Sequence, residues 1–278
     1  MNKSTQVIIY TFIFCFFLNC SSSDDEPNIP TGNNKSYDLL NTNLSDLTGN
    51  VKFIENTNGS ITIIVKLNNT VDGINNAVNL RNNTANIGGG SVVTLNDVDG
   101  NTGISETTVT KLDNGKTVNY EDLSEFLGYI SIEGKGDNAG EFYAYADLGP
   151  NILTGIKMKY NLFASDESVN GFALFEERKK GTAALTINLF QIDDNAELPT
   201  SIHIIQENNL EKIIHPLNTV KSRQNGFSFN EITEINKLPI SYEDLLKLNG
   251  YISITDSSDT TLILSSGGIG INENANMN

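Results

Sequence analysis

Ile61-Thr62-Ile63-Ile64-Val65-Lys66-Leu67 is matched, 122 residues later, by Ala183-Ala184-Leu185-Thr186-Ile187-Asn188-Leu189. In the first stretch Ile61, Ile63, Val65 and Leu67 alternate with Thr62, Ile64 and Lys66; in the second Ala183, Leu185, Ile187 and Leu189 occupy the same places. Period two puts one row of side chains on each face of a strand, so each stretch predicts a β-strand with its apolar row turned to a core.

The offset of 122 extends far beyond these strands. Gly49-Asn50-Val51-Lys52-Phe53 falls on Gly171-Phe172-Ala173-Leu174-Phe175, and Leu95-Asn96-Asp97-Val98 on Leu217-Asn218-Thr219-Val220. After a one-residue slip, Gly103, Ser105 and Val109-Thr110 meet Gly226, Ser228 and Ile232-Thr233. The offset returns with Tyr120-Glu121-Asp122-Leu123 over Tyr242-Glu243-Asp244-Leu245 and Gly128-Tyr129-Ile130-Ser131-Ile132 over Gly250-Tyr251-Ile252-Ser253-Ile254. A fixed offset of this kind marks a duplicated unit. Residues 36–150 and 151–272 are therefore read as two domains of roughly 115 residues, each large enough for its own core.

Short alternating segments punctuated by Asn58-Gly59, Asp72-Gly73, Asp99-Gly100 and Asn225-Gly226 argue an all-β fold. The expected architecture is two tandem antiparallel β-sandwich domains of Greek-key-like order. One short helix is expected per copy, over residues 119–127 and 241–249. Asn119 or Ser241 caps it, Asp122 or Asp244 stands in the capping-box position, and Gly128 or Gly250 ends it.

Before the first unit lies a different kind of sequence. Residues 1–6 carry one charge, Lys3, and residues 7–18 are an apolar run of twelve. A bilayer core needs about 20 apolar residues, so this run is the length of a signal-peptide core. Leu18-Asn19-Cys20 closes it, followed by Ser21-Ser22-Ser23-Asp24-Asp25-Glu26-Pro27. An apolar residue, a small one and then Cys resembles a bacterial lipobox, with Asn19 bulkier than the usual residue. Removal of residues 1–19 discards Cys15, one of the chain's two cysteines. Cys20 then has no internal disulfide partner and is the expected site of lipid attachment. Residues 20–35 are expected to form a flexible tether. Their Ser/Asp/Glu start resembles the export tag of surface lipoproteins in the Bacteroidetes group. That resemblance implies an outer-membrane protein displayed on the cell surface, with the periplasmic face as the alternative.

The chain holds 18 basic and 34 acidic residues, for a net charge of −16. With no basic cluster, nucleic acid and anionic lipid are excluded as expected partners. The acidity is spread along the sequence and reads as a solubility feature.

Leu95-Asn96-Asp97-Val98-Asp99-Gly100-Asn101-Thr102-Gly103-Ile104-Ser105 and Thr108-Val109-Thr110-Lys111-Leu112-Asp113-Asn114-Gly115 carry a resemblance. With Val118-Asn119-Tyr120-Glu121-Asp122-Leu123 and the Gly-Tyr-Ile-Ser-Ile strand, they resemble the CHRD (chordin-type) domain of flavobacterial lipoproteins. The resemblance covers nearly all of residues 36–270, as two tandem domains. It implies an extracellular all-β domain with no established catalytic role. Family members carry a short His-containing stretch in the first half and a His after the Gly-Tyr strand. Here only His203 remains, with Glu133 and Thr255 at the later positions.

Chemistry is sparse. His203 and His215, twelve residues apart and confined to one copy, are too few for a metal site. Asp97-Val98-Asp99-Gly100-Asn101 has alternating oxygen ligands, but Thr102 and Thr108 replace the Gly and Glu of a calcium loop, and a hairpin turn accounts for it. Glu121/Asp122 and Glu243/Asp244 read as capping acids rather than an acid–base pair, and Gly88-Gly89-Gly90 as a turn. The expectation is no catalytic residue, no cofactor and no metal. Two function classes remain, a surface binding or adhesion module for a protein or glycan, and a structural or accessory lipoprotein; an extracellular hydrolase is the distant third. The segments differing most between copies, residues 75–90 against 197–212 and 133–140 against 255–261, are the candidate binding loops.

Overall fold

The structure, a computed structural model, describes residues 27–42, 45–164, 169–190, 192–205, 211–222 and 226–272. Residues 1–26, with Cys20 and the leader, lie outside the described residues.

The first unit runs β1 (Pro30–Asn41), β2 (Thr48–Asn56), β3 (Ile61–Asn68), β4 (Asn76–Asn82), β5 (Ser91–Val98), β6 (Ile104–Val109), α1 (Tyr120–Ser124), β7 (Gly128–Glu133) and β8 (Phe142–Asp147). The second runs β9 (Leu153–Leu162), β10 (Asn170–Arg178), β11 (Ala183–Phe190), β12 (Glu197–Ile205), β13 (Glu211–Lys221) and β14 (Phe227–Ile232). It continues with β15 (Glu234–Ile235), β16 (Leu238–Pro239), α2 (Tyr242–Leu245), β17 (Asn249–Thr255) and β18 (Ile263–Gly270).

The chain is all-β, and each unit is one eight-stranded antiparallel sheet curled into a near-barrel. The first has the order β5-β4-β7-β8-β1-β2-β3-β6, the second β18-β17-β12-β13-β14-β11-β10-β9. Replace each strand by its partner at the offset and the two orders describe one cycle, interrupted at different seams. In the first barrel the ends β5 and β6 are joined by side chains: Asn96 Nδ2 donates to the Glu106 carbonyl and Ser105 Oγ to the Asn96 carbonyl. In the second, β9 meets β18 at a single bridge, Phe163 to Ser266.

The expected apolar rows face the cores. Ile61, Ile63, Val65 and Leu67 are buried, as are Ala183, Leu185, Ile187 and Leu189. Each core also contains an edge-to-face aromatic pair: Tyr37 on Phe53 at 5.6 Å and Tyr160 on Phe175 at 5.7 Å. The geometry is the one aromatic quadrupoles favour.

Both helices carry the expected capping box, Asn119 with Asp122 and Ser241 with Asp244. They are shorter than the sequence predicts, ending at Ser124 and Leu245. Gly128 and Gly250 therefore do not end a helix; they are the first residue of β7 and the second of β17, each at a point of close approach. A Cβ on Gly128 would lie 2.2 Å from the Arg81 carbonyl oxygen, and one on Gly250 2.5 Å from that of His203. α1 is docked on β1 by Tyr37, whose hydroxyl donates to the Ser124 carbonyl at 2.6 Å.

Two boundaries differ from expectation. β1 begins at Pro30, so the end of the stretch read as tether is strand. Residues 75–90 and 197–212, read as loops, contain β4 and β12, which pair along their length with β7 and β17. Their outward residues are polar, which hid the alternation.

Candidate functional site

His203 sits on β12, on the outer face of the second barrel. In the antiparallel register His203 stands opposite Tyr251 and Ser201 opposite Ser253, so all four side chains share a face. The His203 ring stacks on Tyr251 at 4.5 Å, and its Nε2 lies 2.8 Å from Ser253 Oγ and 3.0 Å from Ser201 Oγ. The first barrel has Arg81, Tyr129, Asn79 and Ser131 at these places. Arg81 Nε donates to Ser131 Oγ at 3.0 Å and to Glu133 Oε1 at 2.9 Å, and its Nη1 donates to the Gly89 carbonyl. Burial and the Gly89 backbone act on Tyr129, with burial dominant and raising its hydroxyl pKa.

These networks are closed. Glu133 is committed to Arg81 and to Ser131, which donates to it at 2.6 Å. Ser253 beside His203 is only 1% exposed, so its own hydroxyl is closed to a substrate. His215 stands opposite Ile202, a core residue, and so faces the other side of the sheet from His203. Burial lowers its pKa. Among the described residues no cluster of three His, Cys, Asp or Glu could hold a metal, and no helix is long and apolar enough to cross a membrane.

The remaining sequence candidates serve local structure. Asp99 Oδ1 accepts from the backbone N–H of Asn101 and Thr102, both at 2.9 Å, folding the β5–β6 turn. Those bonds, Thr102 foremost, hold its carboxyl below the usual range. Asp97 pairs instead with Lys135. Glu121 and Glu243 are first-turn acids of α1 and α2. Within residues 255–261, Asp256 and Asp259 bind their own following backbone and hydroxyl groups.

One surface differs sharply between the copies, and the sequence reading did not single it out. On the outer face of β10, β11 and β14, cross-strand rows run Phe172–Asn188–Phe227 and Leu174–Thr186–Phe229. Phe190 stands at one end, its ring 6.0 Å from that of Phe172. The Phe227 and Phe229 rings are nearly parallel, 6.0 Å apart. β11 thus forms the floor of a groove walled by aromatic and aliphatic side chains two strand spacings apart, about 10 Å. Phe190 and Phe229 are exposed, whereas Asn188 on the floor is only 6% exposed.

The same rows in the first barrel read Asn50–Lys66–Ile104 and Lys52–Ile64–Glu106, with Asn68 at the end. One scaffold therefore carries a charged, polar face in the first copy and an aromatic groove in the second. The signal was present in the repeat offset, where Phe172 and Phe190 replace Asn50 and Asn68. It was missed because three strands far apart in sequence contribute.

Compared with known protein families, with curated proteins and with solved structures, the chain matches none. The surface chemistry of the barrels is left to carry the functional argument.

Proposed function

We propose that this protein is an exported, lipid-anchored binding module that carries out no turnover, with the second barrel as its binding domain. The observation that carries this is the aromatic groove on β10, β11 and β14, on a face that is polar in the first copy. Contiguous exposed apolar side chains on a strongly acidic protein mark an interaction surface. Export and anchoring rest on the apolar run and Cys20, and surface display on the acidic residues behind it. The CHRD-type resemblance favours the same extracellular setting. In this reading each barrel is a Greek-key sandwich closed at its edges, and β1 passes from one layer to the other, pairing with β2 through Leu39 and with β8 from Leu40.

The first barrel favours a supporting role, since its outer-face charges Arg81 and Glu133 neutralise each other. That leaves the accessory-lipoprotein reading as the alternative. The experiment is capture of partners from intact cells by the wild-type protein and by Phe172→Ala/Phe229→Ala. Loss of capture supports the binding module; unchanged capture favours the accessory reading. Metabolic labelling with a fatty-acid analogue, abolished by Cys20→Ser, tests the anchor, and protease added to intact cells tests surface display.

A further inference from the structure

We propose that Lys180 of the second barrel and Asn151 of the connection between the barrels close into an isopeptide cross-link, Nζ to Cγ, with release of ammonia. This is one event in the life of each molecule, so it goes beyond the binding-module reading without calling for turnover. The contact that carries it is already made: Lys180 Nζ donates to Asn151 Oδ1 at 3.0 Å. With a C=O bond of about 1.2 Å, the amine nitrogen lies within about 4.2 Å of the carboxamide carbon. Reacting atoms need to stand about 3–3.5 Å apart, so a shift of the lysine end by about 1 Å completes the approach.

The carboxamide is held still for this attack. Asn151 is 1% exposed, and its Nδ2 donates to the Asn83 carbonyl at 2.8 Å and the Gly128 carbonyl at 3.2 Å, both in the first barrel. Its own backbone carbonyl accepts from Arg178 Nη1. Oδ1 is thereby turned to the amine, and the Arg178 charge beside the residue favours the oxyanion of a tetrahedral intermediate. Lys180 is exposed along its stem, but its amine meets the buried carboxamide and, among the described residues, no carboxylate within ion-pair distance. Desolvation there lowers the pKa of the ammonium; Arg178 acts in the same direction, and Glu231 and Asp147 oppose it. More of the amine is then neutral, the form that attacks a carbonyl carbon.

The step balances without oxidant or cofactor. The ammonium gives one proton to solvent, Nζ attacks Cγ, the Nζ–Cγ bond forms and the Cγ–Nδ2 bond breaks. Glu231, the carboxylate that acts most strongly on the Lys180 ammonium, takes a second proton from Nζ and passes it to Nδ2, which leaves as ammonia. The first copy shows the same contact without the chemistry. Pro27-Asn28-Ile29 recurs as Pro150-Asn151-Ile152, and Asn28 Oδ1 accepts at 3.1 Å from Asn58 Nδ2, with Asn58 in the place of Lys180. A carboxamide replaces the amine there, and Asn56 and Thr108 replace Arg178 and Glu231. Amine, cation and carboxylate are thus present together in one copy and absent together from the other. The bond adds a covalent tie where the second barrel joins the first.

The test uses the full-length protein in detergent, held at mildly alkaline pH and digested with trypsin, which does not cut after an acylated lysine. The expected product is a branched peptide joining residues 136–157 to residues 180–212, lighter than the two together by one ammonia. Lys180→Arg keeps a cation at this place without a nucleophilic amine; it should retain the wild-type circular dichroism and give no branch. Asn58→Lys should add no second branch at Asn28, and one appearing there would remove Arg178 and Glu231 from the reaction. Recovery of residues 181–212 from the wild type as a free peptide, with no branch, overturns the proposal. So does a loss of ammonia that persists in Lys180→Arg, since it would then come from a succinimide at an Asn-Gly site.

Discussion

Arg178 of the second barrel donates from Nη1 to Oδ2 of Asp147, in the last strand of the first barrel, at 2.8 Å. The same guanidinium donates from Nε to both oxygens of Glu231, at 2.7 and 2.9 Å, and its Nη1 reaches the Asn151 carbonyl. Arg178 is 1% exposed, and on Asp147 the Ala85 N–H completes the second oxygen at 3.0 Å. A planar guanidinium with a fork of donors can serve two carboxylates and a carbonyl together, which an ammonium could not. The two barrels are thus tied by a charge network at the chain connection, beside the backbone bonds from Lys179 and Lys180 to Ile152 and Pro150.

Removing the cation leaves Asp147 and Glu231 buried without their partner. Arg178→Ala is expected to cost about 3–5 kcal/mol, as broken buried pairs do. The first copy replaces this pair with Asn56 and Thr108, and Asn56 Nδ2 donates to the hydroxyls of Ser60 and Thr62. The double variant Arg178→Asn/Glu231→Thr is therefore expected to be more stable than Arg178→Ala. Urea unfolding compares the two, and equal losses would show that the carboxylates do not drive the penalty.

Val65 and Ile187 occupy the same inward position of β3 and β11, and both are fully buried. A one-residue change of register would turn either row to solvent. Val65→Asp and Ile187→Asp are each expected to cost several kcal/mol, because neither site has a partner for a charge. Normal stability of either variant, measured by thermal unfolding, would contradict the placement of that row.

These rows were legible in sequence because period two is unmixed there and occurs twice. The capping boxes were legible because they are local, three residues from cap to acid. β4 was not, since Asn79 and Arg81 alternate with Val78 and Leu80 in a stretch rich in Asn and Gly. Only β7, fifty residues on, shows that those polar groups have partners. Arg178 read as an ordinary charged residue at a strand end for the same reason: Asp147 and Glu231 lie 31 and 53 residues away. The groove was hidden in a third way. Phe172, Phe190 and Phe229 each look like a core residue alone, and only the sheet order puts them on the outside.

Acid should act on the turns and caps. The Ser241 hydroxyl and backbone hold the Asp244 carboxyl below its ordinary 3.8, and the Thr102 and Asn101 backbone does the same for Asp99. A folded pKa below the unfolded one gives stability that is complete above the unfolded value and lost as pH falls through the folded value. The loss is expected as pH falls below about 4, the ordinary carboxylate value. Asp99→Asn/Asp244→Asn should flatten the pH dependence of urea midpoints in that window, while leaving the slope near neutrality alone. A slope identical to wild type at low pH would mean that neither bond matters to folding.

Arg81 and Glu133 form the first barrel's counterpart of the His203–Ser253 contact, and the two solutions should not mix freely. The Arg81 side chain is 22% exposed and that of Glu133 10%, so their charges are partly desolvated and depend on each other. Glu133→Thr installs the second copy's residue, Thr255, and strands the guanidinium; about 1–3 kcal/mol should be lost. Arg81→His alone leaves the carboxylate with Ser131 as its main donor. Together, Arg81→His/Glu133→Thr reproduces the second barrel, where the imidazole stacks on the tyrosine and bonds the serine hydroxyl, and the double variant should recover much of the single losses. The coupling from a double-mutant cycle in urea is expected to be about 1 kcal/mol or more. Strict additivity would mean that the ion pair contributes nothing beyond its separate contacts, and that the equivalence of the two networks is one of position alone.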